Sequence, residues 1–195
     1  MSGIHMVLMG AGGFSPFTNT YTSGTGATET VPTGAKQVVI TADGGGGAGG
    51  FSNSSVGGGG GGGARSVKTL AVTGGNTFVY TVAAAAVGRT TQGSGTNGND
   101  SQVTGSALGM IARGGLGGAA TSGGSGGNAS GGDTNTSGSA GSSGGNGGAG
   151  ASGAAGGTAP GDGAAPGGGG GGSGPTFSNV ISGSGARGQI SFAYT

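Results

Sequence analysis

Residues 114–159 read GGLGGAATSGGSGGNASGGDTNTSGSAGSSGGNGGAGASGAAGGTA. Every third residue from Gly114 gives Gly114, Gly117, Ala120, Gly123, Gly126, Ala129, Gly132, Asn135, Gly138, Gly141, Gly144, Gly147, Gly150, Gly153, Gly156 and Ala159, with glycine at 12 of 16 positions. The series from Gly115 holds glycine at 7 of 15 positions, and the series from Leu116 holds it only at Gly131. A period of three belongs to an extended left-handed helix that rises about 3.1 Å per residue and has no internal hydrogen bonds. Its amide groups must therefore be met by water or by neighbouring segments. A row without side chains lets backbones approach closely, which points to polyglycine-II helices bonded side to side. Collagen would need abundant proline, and this region has only Pro160 and Pro166 near its end. Laid straight at about 3.1 Å per residue, the segment would run well over about 100 Å. It must fold back, and residues 133–136 and 160–163 carry turn-forming types.

The same composition, 60 glycines in 195 residues with many serines, also suits a disordered linker. Between Gly117 and Thr176 there is no Val, Ile, Leu, Met, Phe, Tyr or Trp, so no ordinary core can form there. The phase-locked glycines and the strand-like flanks favour order. One small core must then be built from both ends of the chain. With no cysteine to staple it, backbone bonding or self-association has to supply the rest.

The flanks read as strands. Lys36 to Ala42 is rich in β-branched residues. Ser66 to Thr73 alternates with period two, Gly74-Gly75-Asn76 carries a turn signal, and Thr77 to Val82 returns with Phe78, Tyr80 and Val82 aligned, which predicts a hairpin. Residues 102–104 and 107–112 predict a second hairpin, and Phe177 to Ile181 is a further apolar stretch. Gln189 to Thr195 predicts a central strand through Ile190, Phe192 and Tyr194. Ala83 to Ala86 is too short to nucleate a helix. The expected fold class is all-β: a small β-sandwich with an inserted polyglycine-II bundle and essentially no α-helix. In domain terms, residues 1–20 form an arm and residues 21–195 the glycine-rich domain, with the polyglycine-II segment at about 114–172. Ile4, Met6, Leu8, Phe14 and Phe17 are the candidate docking residues of the arm, which could equally supply the first strand.

Val31-Pro32-Thr33-Gly34, Val38-Val39-Ile40 before Gly44 to Gly47, Lys68 to Gly74, Tyr80-Thr81-Val82 and the final Gly188-Gln189-Ile190 follow one another in an order that resembles the glycine-rich domain of bacteriophage tail-fibre and virion proteins. The resemblance covers about residues 20–195. It implies a structural, surface-exposed virion protein, similar to polyglycine-II adhesins that carry host-binding loops, and commonly trimeric fibres. This chain departs from the usual pattern in having Ala42-Asp43 where an aromatic commonly follows the first strand, in lacking tryptophan, and in lacking a fibre shaft.

On this reading the turns between helices are the candidate receptor-facing loops: Phe51 and Asn53, Arg89, Asn97, Asn99 and Asp100, and Asp133 with Asn135. Such residues are also what turns use for their own bonding. Expected partners are other virion proteins, further copies of the chain with a trimer favoured, and a host surface glycan or protein; the expected location is the virion surface. A formal charge of +1 gives no field for nucleic acid. The N-terminal apolar run has no basic region before it and is far shorter than the roughly 20 residues of a membrane span. No insertion is expected, and release in a particle by lysis would be one route out of a cell. An enzyme is not expected. The five acids are scattered, the lone His5 has no partners nearby, and no nucleotide, zinc or nucleophile motif occurs. No cofactor is expected, and one carboxylate per loop is too few for a metal site. The alternatives are a purely architectural capsid-decoration or tail protein, and an ice-binding glycine-rich protein, which would want regular threonine or alanine ranks.

Overall fold

A computed structural model describes residues 14–105, 107–175 and 181–195. The chain is all-β, with no helix among the described residues. Its strands are β1 (Phe17–Tyr21), β2 (Ala27–Thr30), β3 (Gln37–Asp43), β4 (Arg65–Ala71), β5 (Thr77–Thr81), β6 (Ser101–Gly105), β7 (Leu108–Ala112), β8 (Ala129–Ser130), β9 (Thr134–Thr136) and β10 (Gln189–Tyr194). They form two antiparallel five-stranded sheets, in the orders β1-β10-β3-β4-β9 and β2-β5-β6-β7-β8. The inward residues alternate as strand geometry requires. Val38, Ile40, Ala42, Ile190, Phe192 and Tyr194 from one sheet meet Phe78, Tyr80, Val103, Met110 and Ala112 from the other. Phe192 sits among the rings of Phe78, Tyr80 and Tyr21, with centroids 5.8, 5.9 and 6.2 Å away.

The C-terminal strand is central, flanked by β1 and β3, and residues 101–112 pair as a hairpin. The sequence expectation for residues 66–82 is corrected. β4 pairs with β3 and β9, whereas β5 pairs with β2 and β6, so the two belong to opposite sheets. The turn at 74–76 is an arch rather than a hairpin loop. Its amides bond across to residues 31–36, with Gly75 N–H to Val31 O and Val72 N–H to Lys36 O, both at 2.9 Å. Two apolar-faced strands on either side of a tight turn can bury their faces against each other across a core as readily as side by side, and here they do the former. Phe17 is the first residue of β1 and pairs with Tyr194, so it belongs to the sandwich rather than to a tether. Phe14 joins it, its ring centroid 5.9 Å from that of Phe17 and its side chain over Gly34. Ile4, Met6, Leu8 and most of the Phe177–Ile181 stretch lie outside the described residues.

Strands run directly into glycine segments, since both are extended: Asp43 leads into 44–51, Ala112 into 113–119, and 182–188 leads into Gln189. The bonding in these segments has period three. In 44–51, residues 44, 47 and 50 donate to 64, 61 and 58; residues 45, 48 and 51 donate to 99, 96 and 93; residues 46 and 49 donate to 186 and 183. Segment 57–64 is the axis of the lattice. It donates to 167–173, 113–119 and 139–142, and accepts from 44–50, 124–127 and 148–151, so six neighbours surround it. Each donating direction turns by a third of a revolution per residue, which is why each neighbour is met every third position. The bonding thus takes in 44–64, 93–99 and 182–188 as well as the segments within 114–172.

Glycine content follows the number of neighbours. The runs 44–47, 57–63 and 167–172 are glycine throughout and wholly buried. A Cβ at Gly60 would come well inside 3.0 Å of the Gly47 carbonyl oxygen, and one at Gly46 would meet Gly168 in the same way. In 113–128, the series Gly115, Gly118, Gly124 and Gly127 is buried, while Arg113, Leu116, Ser122, Ser125 and Asn128 face outward. That outward series is the one from which glycine is nearly absent in the sequence.

Candidate functional site

Because the segments alternate in direction, their turns collect at two ends. The sandwich occupies one end. At the other, Phe51 and Gly93 exchange backbone hydrogen bonds at 2.9 and 3.0 Å, and Ser52 N–H reaches Ser173 O at 3.1 Å. Ala119 N–H closes a turn on Ser122 O, Ser142 N–H closes one on Asn146 O, and Gly172 N–H bonds Gly145 O. A Cβ on Gly145 would touch Val56 and Ala159. Residues 52–56, 90–92, 120–121, 143–145, 159–160 and 174–175 therefore share one distal tip. Its exposed positions include Asn53, Ser54, Ser55, Thr90, Thr91, Gln92, Thr121 and Ser143, all uncharged and hydrogen-bonding.

Of the sequence-nominated residues, Phe51, Asn53 and Arg89 belong to this tip. Asn53 Nδ2 donates to Gln92 Oε1 at 3.0 Å, joining two loops. Arg89 is held at both its ends: its N–H donates to Ser182 Oγ at 2.8 Å, and its Nη1 donates to Ser94 O at 3.1 Å. Its guanidinium lies over Gly93, where a side chain would crowd it. Asn97, Asn99 and Asp100 lie instead along the flank, in the segment that returns to the sandwich. Asn97 Oδ1 accepts from Gly117 N–H at 2.9 Å and Asp100 Oδ1 from Gly114 N–H at 3.0 Å, so both side chains stand in for lattice carbonyls.

Asp133 and Asn135 are at the sandwich end, away from the tip. Asp133 takes Lys68 Nζ at 2.5 Å and Thr69 N–H at 2.9 Å, and these bonds, the lysine's first, hold its carboxyl below the ordinary range. Asn135 Oδ1 accepts from Ser66 Oγ at 2.8 Å. Both residues close the arch that carries the chain from β8 in one sheet to β9 in the other.

Sequence reading passed over Val87 and gave Ile181 only as the end of an apolar stretch, although both lie beside the tip. Val87 is 70% exposed and Ile181 53%, and the strands of backbone that carry them are joined through Ser182 N–H to Arg89 O at 3.0 Å. The available signal was a bulky residue directly before a glycine or serine-glycine step, as in Val87-Gly88 and Ile181-Ser182-Gly183. Gln92 was also missed, since only its pairing with Asn53 distinguishes it.

The ionisable groups of the interior serve the frame. Glu29, 4% exposed, accepts from Tyr21 Oη at 2.5 Å, Tyr194 Oη at 2.9 Å and Asn19 Nδ2 at 2.9 Å, tying the β1 and β2 edges together. Asp43, at the seam with the bundle, takes Arg65 Nε at 2.7 Å and Nη2 at 3.0 Å. No buried polar side-chain atom is unsatisfied among the described residues, and no group of three potential metal ligands occurs among them. No protein-family model matches the chain, and no curated protein matches it.

Proposed function

We propose that this chain is a structural protein of a bacteriophage virion, a tail-fibre, tail-tip or capsid-fibre subunit that holds its distal turns against a host surface. The observation that carries this reading is the convergence of four polar turns, at 52–56, 90–92, 120–121 and 143–145, at the end of the bundle opposite the sandwich. Each turn is anchored by backbone bonds on both sides, so the loops are held in place before contact, which lowers the ordering cost of binding. The resemblance in element order to glycine-rich virion proteins supplies the biological setting. In this arrangement the sandwich end faces the particle and other virion proteins, with further copies of the chain completing a trimer. The partner at the tip is a host surface glycan or protein.

The internal bonding of Asn97, Asp100, Asp133 and Asn135 favours a second reading, in which the chain is purely architectural and its polar loops only close turns. Virions carrying Asn53→Lys together with Thr91→Lys distinguish the two. Attachment requires normal incorporation into particles with adsorption reduced at least tenfold. Unchanged adsorption by particles that contain the variant defeats the attachment reading and leaves the architectural one.

A further inference from the structure

Where the bundle meets the second sheet, a groove of about 520 Å³ opens on the flank. This volume lies within the roughly 300–1,000 Å³ of small-molecule sites. It is lined by Thr25, Thr81, Asn99, Asp100 and Gln102 over a floor that includes Gly98. The floor is kept low by the lattice, because a side chain at Gly98 would collide with the Gly45 carbonyl.

The lining groups are positioned but not used up. Asp100 is fixed through Oδ1 on Gly114 N–H, and its Oδ2 makes no hydrogen bond among the described residues. Asn99 Nδ2 reaches Ala84 O at 3.4 Å, and its Oδ1 has no hydrogen-bond partner among the described residues. Thr81 Oγ1 accepts from Gly26 N–H at 3.0 Å, which leaves its hydroxyl proton to donate. Gln102 stands on β6 opposite Thr81 and Ile111, and its amide, like the Thr25 hydroxyl, makes no hydrogen bond among the described residues.

We infer that this groove is a binding site for a neutral, hydroxyl-rich ligand, in practice one or two sugar units of a glycan. Two amides and two hydroxyls offer donors and acceptors side by side. An ammonium or guanidinium ligand would set its donors against the amide N–H groups. An anion would meet the Asp100 carboxylate. Only a ligand whose own groups both donate and accept satisfies the whole lining, and leaving such groups unpaired is what a polar site penalises. The site lies on the flank, so it is separate from the distal turns and does not depend on the attachment reading.

The test is saturation-transfer NMR on the full chain with maltose, cellobiose, lactose and N,N′-diacetylchitobiose, together with amide shift mapping of the unmodified protein. At least one disaccharide should show transfer, with shifts at Asn99, Asp100 and Gln102. Asp100→Asn keeps an oxygen for Gly114 N–H while removing the charge; combined with Gln102→Ala it should weaken binding at least tenfold at unchanged Tm. The control Ser125→Ala, on the outward row of the lattice and outside both the groove and the tip, should bind as the parent does. Absence of transfer from all four sugars, shifts confined to the distal turns, or undiminished binding by the groove variant overturns the assignment. Transfer from lysine or arginine methyl ester in place of the sugars also overturns it.

Discussion

The sandwich and the glycine bundle hold the same chain together by opposite means. In the sandwich, side chains supply the cohesion: Phe192, Phe78, Ile40 and Met110 are fully buried, and the backbone bonds run only within each sheet. In the bundle the backbone is itself the core. Segment 57–64 is as buried as Phe192 yet contributes one methyl group, that of Ala64. Its amides are satisfied in three dimensions rather than within one plane. Side-chain cores lose stability when atoms are removed, whereas a backbone lattice loses it when atoms are added. Glycine's large ordering entropy means that such a lattice is viable only when nearly every buried amide finds a partner.

The largest expected effect comes from a single added methyl at the axis. Gly60→Ala places a Cβ against the Gly47 carbonyl, which already accepts from Gly170 N–H; Gly60 itself donates to Gly170 and accepts from Gly148. Relief of the overlap breaks several of these bonds together, at about 1–3 kcal/mol for each buried group left unpaired. The variant should lose folded protein altogether or melt below every other substitution considered. Ser125→Ala, in the outward series of the same lattice, should stay within about 0.5 kcal/mol of the parent. Equal Tm values for the two, measured by circular dichroism, would mean that the lattice is not close-packed in solution.

Next in size is Phe192→Ala, which removes the ring shared by both sheets. Large-to-small changes of this kind cost about 3–5 kcal/mol. Urea titration should give a loss in that range. Hydrogen exchange should sharpen the contrast further: the amides of 44–50 and 57–63 should stay protected in Phe192→Ala relative to those of β3 and β10. Uniform loss of protection would mean that the two regions unfold as one unit.

Much of this division was legible before any coordinates. The series from which glycine is nearly absent marked the outward row, but the buried row is the one through Gly115, Gly118, Gly124 and Gly127, while the more glycine-rich series from Gly114 is only half-buried. The β-branched run 36–42, the apolar residues of 102–112 and the aligned Ile190, Phe192 and Tyr194 marked β3, β6, β7 and β10. What could not be read was which segment lies innermost. A run such as 57–63 has no side chains and hence no phase, so it looks like a linker, although lacking an outward row is what an axial position requires. The arch at 74–76 was misread because Gly-Gly-Asn provides the same tight turn whether strands pair or face each other. The nominated loops separated for a related reason. Asn, Asp and Thr mark turns at either end of a lattice, and only the alternating direction of the segments places Asn53 and Arg89 at the tip and Asp133 and Asn135 beside β4.

The smallest effect belongs to a polar contact inside the side-chain region and is visible only in alkali. Hydrogen bonding to Glu29, with burial second, pushes the Tyr21 phenol from its ordinary 10.0 up to about 12. Burial, followed by its bond to Glu29, pushes Tyr194 higher still. A phenol whose folded pKa is raised binds its proton more tightly in the native state, so its contribution is fully present below pH 10 and is lost as pH rises toward 12 and beyond. Tm should therefore hold level up to about pH 10 and fall above it. Tyr21→Phe should begin from a lower Tm at neutral pH, because Glu29 loses a donor, and then decline less steeply between pH 10 and 12. The bundle has no titrating group at its axis, so protection of its amides, corrected for the faster chemical exchange in base, should not change over the early part of that decline. Parallel loss in both regions from the onset would show that the β1 and β2 edges support the lattice as well as the sandwich, and the division between side-chain and backbone cohesion would then hold for packing but not for stability.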